Sequence, residues 1–354
     1  MQITKAKVTP VEIKLAQPIQ ISHAARIDHI TAVFVRIETV QGVCAWGCSV
    51  VIPEITNENV ESVIDACQDC AAMLPDLHPT NIEYSLAQLA PIVENAPSAL
   101  CAYDLAFNDL QSWAAGMPLY RLLGGYRDRI QTSVTVPISS VKESVELAQD
   151  RASLGFRMLK IKGGLDPEED VMRVRAINRA LPDHILRLDP DGGYTVEQAL
   201  DVARALDGKI EMLEQPTPGD DLSGLKHVTN QSPVPILADQ SVRGPGSALH
   251  LASQRCADGL SVKISTCGGL RCAQQVDAIT RAAGIATMIS CNIEPALLIS
   301  AGLSIALSSP NIRYADLDGH LDLLNDPSQP GFALEDGWLI ASETPGIGCT
   351  VNLN

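Results

Sequence analysis

Seven polar residues of this 354-residue chain recur at a nearly constant interval. Lys162, Asp189, Glu214, Asp239, Lys263, Ser290 and Asp316 follow one another at 27, 25, 25, 24, 27 and 26 positions. Three in a row close short apolar runs: ILRLD, IEMLE and PILAD. One charged residue at the end of a strand is commonplace. Three successive carboxylates at the pitch of a strand–helix unit imply a shared location and a shared chemistry. Carboxylates held together repel unless a cation lies between them. Hard oxygen donors suit Mg²⁺, and Mn²⁺ satisfies the same ligand types. No His or Cys stands at a corresponding strand end to favour zinc. Asp189, Glu214 and Asp239 are therefore the expected metal ligands.

Lys160 and Lys162 are two apart on one strand and share a face of its pleat. Two ammonium groups about 7 Å apart repel by roughly 2.4 kcal/mol at an effective dielectric of about 20. That repulsion predicts a lysine pKa lowered by about 1.7 from a reference near 10.4, part of the way to the near-neutral value a general base needs. Lys263 is expected to face Lys162 across the same mouth. A cation lowers the cost of the enolate formed when an α-proton leaves, one lysine takes that proton, and the other returns it to the opposite face. Racemisation or epimerisation results, or elimination where a leaving group sits on the β-carbon. A lone lysine of this kind reads by default as a surface residue. A Schiff-base aldolase also uses a barrel lysine, but it needs no carboxylate trio.

These residues need a scaffold that gathers them. Residues 1 to about 48 alternate apolar and polar over Ile3–Leu15, Ile30–Ile37 and Val43–Trp46, with a tight turn at Val40-Gln41-Gly42, which predicts an antiparallel meander. Helical periodicity follows over Asn59–Met73, Asn81–Leu89 and Ser98–Ala115. After Gly124-Gly125, eight β-rich runs alternate with amphipathic helices such as Glu168–Ala180 and Val196–Leu206. The runs are Thr132–Val136, Met158–Lys162, Ile185–Asp189, Ile210–Glu214, Pro235–Asp239, Leu260–Ile264, Ala286–Ser290 and Ile312–Leu317. That alternation predicts an α/β chain with a (β/α) barrel, whose strand C-termini all open on one mouth. The predicted division is an α+β unit over 1–125, the barrel over 126–320, and a C-terminal segment over 321–354. In that segment the strand Ala333–Ile340 is expected to return to the first unit.

Lys plus Arg is 26 and Asp plus Glu is 42, a net charge of −16. That excess argues against nucleic acid or an anionic membrane as partner and favours a small molecule or a cation. No apolar stretch approaches the roughly 20 residues of a membrane span. The ten scattered cysteines predict reduced thiols and a cytoplasmic protein. Cys67 and Cys70 lack the second pair a zinc site requires and read as buried helix residues.

Lys160-Ile161-Lys162, Asp189, Glu214-Gln215-Pro216, Ala238-Asp239, and Lys263 followed by Cys267-Gly268-Gly269 resemble the enolase superfamily, and within it the muconate-lactonizing subgroup. The stretch from Ala99 to Leu110 and the run Pro118…Leu122-Leu123-Gly124-Gly125 extend the resemblance to nearly the whole chain. It implies a modified TIM-type barrel, (β/α)7β, under an N-terminal α+β capping domain. The mandelate racemase branch, with a His–Asp dyad in place of the second lysine, and enolase itself, without the Lys-x-Lys pair, fit less well. Tyr314-Ala315-Asp316-Leu317-Asp318-Gly319 and Thr132-Ser133-Val134-Thr135-Val136 are similar to the dipeptide epimerases of the subgroup. The resemblance implies that Asp316 and Asp318 bind the substrate's α-ammonium, with Thr135 beside them, and that the C-terminal residue of a dipeptide is inverted.

Two features depart from that pattern or bear on specificity. Gln240 stands where the family usually has Glu, which is expected to retune Lys263. Ile293 stands where some relatives that take cationic dipeptides carry an acid, pointing to an uncharged second side chain. Substrate-covering loops are expected over Gln17–Asp28, with His23 and Arg26, and over Val50–Thr56. The same site leaves several other readings open: another amino-acid racemase or dehydratase, a muconate-type cycloisomerase, an o-succinylbenzoate synthase, or a metal-binding protein without activity. A homo-oligomer also remains open.

Overall fold

The computed structural model describes residues 2–20, 26–56, 58–94 and 96–353. Three antiparallel strands, Ile3–Ile19, Ile27–Thr39 and Cys44–Val51, open the chain and pair in that order. The central strand is apolar on both faces because both are covered. Val33, Val35 and Ile37 pack with the helical layer of the same unit, while Ile30, Ala32 and Phe34 join the large core shared with the barrel. The turn after the central strand closes with Thr39 N–H donating to Val43 O at 3.0 Å, and Gly42 supplies the required φ of +78°.

Helices Val60–Met73, Ile82–Leu89 and Pro97–Ala115 follow. Asn59 caps the first by accepting from Ser62 N–H at 3.1 Å. Gly116, in the left-handed region, ends the third. That third helix lies directly on the strand Cys44–Val51: a Cβ on Gly47 would stand 1.7 Å from Ala102 O. Cys67 and Cys70 are free, buried thiols of the first helix, as their sequence context predicted.

The barrel sheet holds eight parallel strands in sequence order: Ser133–Val136, Met158–Lys162, Ile185–Asp189, Met212–Glu214, Ile236–Ala238, Gly259–Lys263, Ala286–Ser290 and Ile312–Asp316. Helices Val141–Ser153, Pro167–Ala180, Val196–Ala205, Leu222–Gln231, Pro245–Gln254, Leu270–Ala283 and Ala296–Ala306 connect them, which is the (β/α)7β form. The fourth and fifth strands are shorter than the apolar runs suggested. Pro235, at the start of one run, has no N–H for a ladder bond. The first and eighth strands meet through side chains: Leu317 N–H donates to Thr132 Oγ1 at 2.7 Å, and Ser133 Oγ donates to Asp316 Oδ1 at 2.6 Å.

The run expected to form one strand over Ala333–Ile340 is a hairpin, Phe332–Glu335 and Trp338–Ala341. It pairs with Arg129–Gln131 at the entrance to the barrel and not with the opening meander. The turn residues Asp336 and Gly337, both with positive φ, break the run. A neighbouring segment does reach the meander, where Leu324 N–H donates to Lys14 O and Ala16 N–H to Asp322 O. Of the two expected covering loops, residues 21–25 with His23 lie outside the described residues. The other is partly regular structure: Val50 and Val51 finish a strand and Pro53–Thr56 is a helical turn.

Two buried carboxyls stitch the helix Pro97–Ala115 to the rest of the chain. Asp104 accepts from Arg271 N–H at 2.9 Å and Asp109 from Ile347 N–H at 2.7 Å. Burial pushes both up to about 7 from 3.8, against the opposing pull of those backbone donors. A folded pKa above the unfolded one means the folded chain holds extra protons, so the stabilisation is complete at low pH and is lost as pH rises from about 4 to about 7. The melting temperature is therefore expected to fall by about 2–5 °C from pH 5 to pH 8. Calorimetry of the Asp104→Asn, Asp109→Asn double variant should show a shallower slope. An unchanged slope would place the titration elsewhere.

Candidate active site

The strand ends bring the predicted residues together. Lys160 and Lys162 follow the inward alternation of the second barrel strand, and their register partners on the third are Arg187 and Asp189. The Lys160 ammonium, 3% exposed, donates to Asp316 Oδ2 at 2.7 Å. It also lies 2.8 Å from Asp189 Oδ2 and 3.0 Å from Glu214 Oε2. The Glu214 contact is an ion pair without hydrogen-bond geometry, since neither oxygen of that carboxylate has a hydrogen-bond partner. Lys162 donates to Asp189 Oδ2 at 2.8 Å and to both oxygens of Asp191 at 2.9 Å. Lys263, from the sixth strand, donates to Asp239 Oδ1. Ser290, Lys263's register partner on the seventh strand, is occupied by Ser261 at 2.7 Å.

The expectation that the lysine pair lowers its own pKa is not met in the protein alone. Burial does push Lys162 down, and Lys160 repels it as anticipated. The attraction of Asp189 and Asp191 outweighs both and holds the ammonium above its ordinary value. Lys160 and Lys263 are raised for the same reason, with burial overcome by carboxylates that include Asp189 and Asp316 for the first and Asp239 for the second. Spacing along one strand brings in only the cations; the anions that hold them come from the next strand and its turn. Reciprocally, burial favours the neutral form of Asp189, yet Lys160 and Lys162 hold its carboxyl well below the usual range. Glu214 is pushed up to about 7 by burial and by Asp189, Asp239 and Asp316, against Lys160.

This donor set fits a divalent cation. Both oxygens of Glu214 and Oδ2 of Asp239 are buried without a hydrogen-bond partner, a costly arrangement unless something positive reaches them. The oxygens of Asp189 and Glu214 already lie close enough to share one ammonium. Among the described residues no three His, Cys, Asp or Glu side chains are drawn into a ready coordination shell. In the protein alone Lys160, Lys162 and Lys263 offset part of the charge of these carboxylates. Asp189, Glu214 and Asp239 are the residues that would hold the metal.

The eighth strand supplies the remaining carboxylates. Asp316 is bound by Lys160 and Ser133, so the first member of the Asp-x-Asp pair already has a cation and stays below its usual range despite burial. Asp318 accepts from the backbone N–H of Thr135 at 2.6 Å. Burial, then repulsion from Asp316, push it up to about 6. Thr135 thus enters the site through its backbone. Ile293 is half-buried against the core beside Glu294, which accepts from Ser265 Oγ at 2.5 Å. Arg26 is exposed and edges a cavity of about 190 Å³ in the opening unit, whose lining includes Asp28, His29, Ile52 and Val60 but no member of the carboxylate–lysine cluster.

Two participants, Asp191 and Arg187, are absent from the expected set, and a third, Gln240, acts on a different partner. Asp191 grips Lys162 from two positions beyond Asp189, where a turn hid it from any strand-end periodicity. Gln240 was expected to act on Lys263; its amide instead donates to Asp191 Oδ1 at 3.0 Å, on the Lys162 side. Arg187, 1% exposed, closes the barrel beneath the site, donating to Glu211 at 2.8 Å and to Ala315 O at 3.1 Å. Its place in ILRLD, two before Asp189, was the available signal, since residues two apart share a face.

A barrel whose mouth gathers lysines and carboxylates beneath an α+β cap defines a class of enzyme, and comparison with known proteins gives it a family. Residues 3–124 match the mandelate racemase/muconate lactonizing enzyme N-terminal domain and residues 143–354 the enolase C-terminal domain-like family. The chain belongs to the mandelate racemase/muconate lactonizing enzyme family of the enolase superfamily. It is 34% identical to an L-Lys-D/L-Arg epimerase of Methylococcus capsulatus, over 98% of this chain and 99% of that one. A dipeptide epimerase structure from Enterococcus faecalis, complexed with Mg and L-Leu-L-Tyr, superposes with a TM-score of 0.95 at 34% identity, covering 99% of this chain and all of that one. A substrate-liganded L-Ala-D/L-Glu epimerase from Bacillus subtilis gives 0.96 at 30% identity, covering all of both chains.

Proposed function

We propose that the chain is a Mg²⁺-dependent dipeptide epimerase that inverts the α-carbon of the C-terminal residue. One observation carries this reading: Lys162 and Lys263 stand on the second and sixth strands of an eight-stranded ring, each tethered to a buried carboxylate. Strands four apart in such a ring lie across the mouth from each other, so two ammonium groups address opposite faces of a substrate held between them. Asp189, Glu214 and Asp239 hold Mg²⁺, which supplies positive charge where negative charge gathers as the α-proton leaves. Lys162 and Lys263 exchange that proton, and Lys160, fixed by Asp316, presents an ammonium to the developing charge. Asp318 offers its carboxylate to the substrate's α-ammonium. Ile293 suits an uncharged second side chain. A dianionic substrate, as a cycloisomerase or o-succinylbenzoate synthase would take, meets Asp316 and Asp318 as like charges.

Incubation with Mg²⁺ and a library of small L,L-dipeptides in D₂O tests the reading. Gain of one mass unit together with a new diastereomer is expected. Exchange without inversion, or none, would reject epimerisation. Asp318→Asn should raise KM for the dipeptide by about tenfold or more, the cost of losing a charge-assisted bond, while Mg²⁺ affinity by calorimetry stays the same. Equal loss of both would move Asp318 into the metal site.

A further inference from the structure

The turn Asp189-Pro190-Asp191-Gly192-Gly193 is built to aim one carboxylate. Asp191 has φ +50°, uncommon for a residue with a side chain, and its N–H donates to Asp189 Oδ1 at 3.1 Å. The turn has little freedom to move. A Cβ on Gly193 would stand 2.3 Å from Gly164 O, in the segment just after Lys162, and Gly192 N–H donates to Gln215 O at 2.6 Å. From this fixed turn Asp191 accepts from Lys162 through both oxygens, while Gln240 donates to the same carboxylate from the next strand but one.

We infer that Asp191 is a positioning residue for the face of the reaction served by Lys162, and that Gln240 sets its orientation. The inference rests on the two-lysine reading above. Lys162 sits on a long flexible stem, and a carboxylate that meets its ammonium with both oxygens fixes where the three N–H bonds point. Asp189 cannot do this alone, because Lys160 competes for the same Oδ2. Gln240 is neutral where a carboxylate would repel Asp191, and its amide donates to the oxygen it meets. The chain Gln240–Asp191–Lys162 therefore loads one side of the site only. Lys263 has no counterpart of it among the described residues beyond Asp239.

Exchange measured separately on each epimer tests the inference. A two-base enzyme lacking one base still exchanges the α-proton of the epimer served by the other. Lys162→Ala and Lys263→Ala should therefore each spare exchange in a different epimer. Asp191→Asn keeps the size and tolerates positive φ. It should slow exchange by about 10–100-fold in the epimer that Lys162→Ala silences, leave the other epimer's exchange and Mg²⁺ affinity unchanged, and lower kcat more than it raises KM. Gln240→Ala should do the same more weakly. Equal slowing of both epimers, slowing of the Lys263 epimer, or a loss of Mg²⁺ affinity would overturn the role of Asp191. If the two lysine variants themselves fail to divide the epimers, the two-lysine reading falls and this inference with it.

Discussion

Lys263→Ala is expected to abolish epimerisation while leaving deuterium uptake intact in one diastereomer. General acid–base groups contribute about 10²–10⁴-fold, and inversion needs both, so the loss of turnover should reach the upper part of that range. Exchange without inversion needs one base only. The surviving reaction is removal and return of the proton by Lys162 on its own face, seen by proton NMR in D₂O as signal loss with no second diastereomer. The site's architecture makes this outcome distinctive. Lys263 is tethered to Asp239, and Lys162 to Asp189 and Asp191, so the two ammonium groups have separate anchors. Removing one leaves the other's anchors in place. Complete silence in both diastereomers would mean that the lysines work as one unit, or that Lys263 serves the metal site through Asp239.

Strand-end periodicity was a strong signal for physical reasons. A βα unit has a nearly fixed length, and every strand of a barrel ends on one face, so Lys162, Asp189, Glu214, Asp239 and Lys263 had to converge if the fold was right. Inward-facing residues two apart were equally legible, as with Lys160 below Lys162. Asp191 was not, nor was the partner that Gln240 meets, because the turn carrying Asp191 takes its direction from positive φ and from Gly193 packing against Gly164. The lysine pKa escapes sequence spacing for a related reason. Spacing along one strand gives the Lys160–Lys162 repulsion, whereas the stronger attraction comes from carboxylates on neighbouring strands and turns. The hairpin at Phe332–Ala341 is legible in the local turn Asp336-Gly337, whereas the pairing of its second arm with Arg129–Gln131, about two hundred residues earlier, is not. The fold and the proposed metal ligands follow from repeat length and residue type; the fine aim of each lysine follows from loop geometry.

Glu214→Gln should remove most Mg²⁺ binding and lower kcat by about 10³-fold or more, the order of the several kcal/mol that a metal contributes to a developing charge. Its effect on the metal-free protein should have the opposite sign. Glu214 is fully buried, neither oxygen has a hydrogen-bond partner, and its carboxyl is pushed up to about 7. In the wild type without metal, a folded pKa above the unfolded 4.5 means that stability is lost as pH rises through about 7. The amide removes that penalty at nearly constant volume. In chelator at pH 8, the melting temperature of the variant should therefore equal or exceed that of the wild type. Saturating Mg²⁺ should then reverse the order. At a hundred times its Kd the ion stabilises a protein that binds it only when folded by about 2.7 kcal/mol, and the wild type gains this while the variant does not. A residue placed in the barrel only to build its structure would lower the melting temperature under both conditions. A ligand kept at the expense of the unliganded fold lowers it only in the presence of the metal. Scanning calorimetry of both proteins, with Mg²⁺ and with chelator, decides between these, and wild-type Mg²⁺ affinity in the variant would remove Glu214 from the metal site.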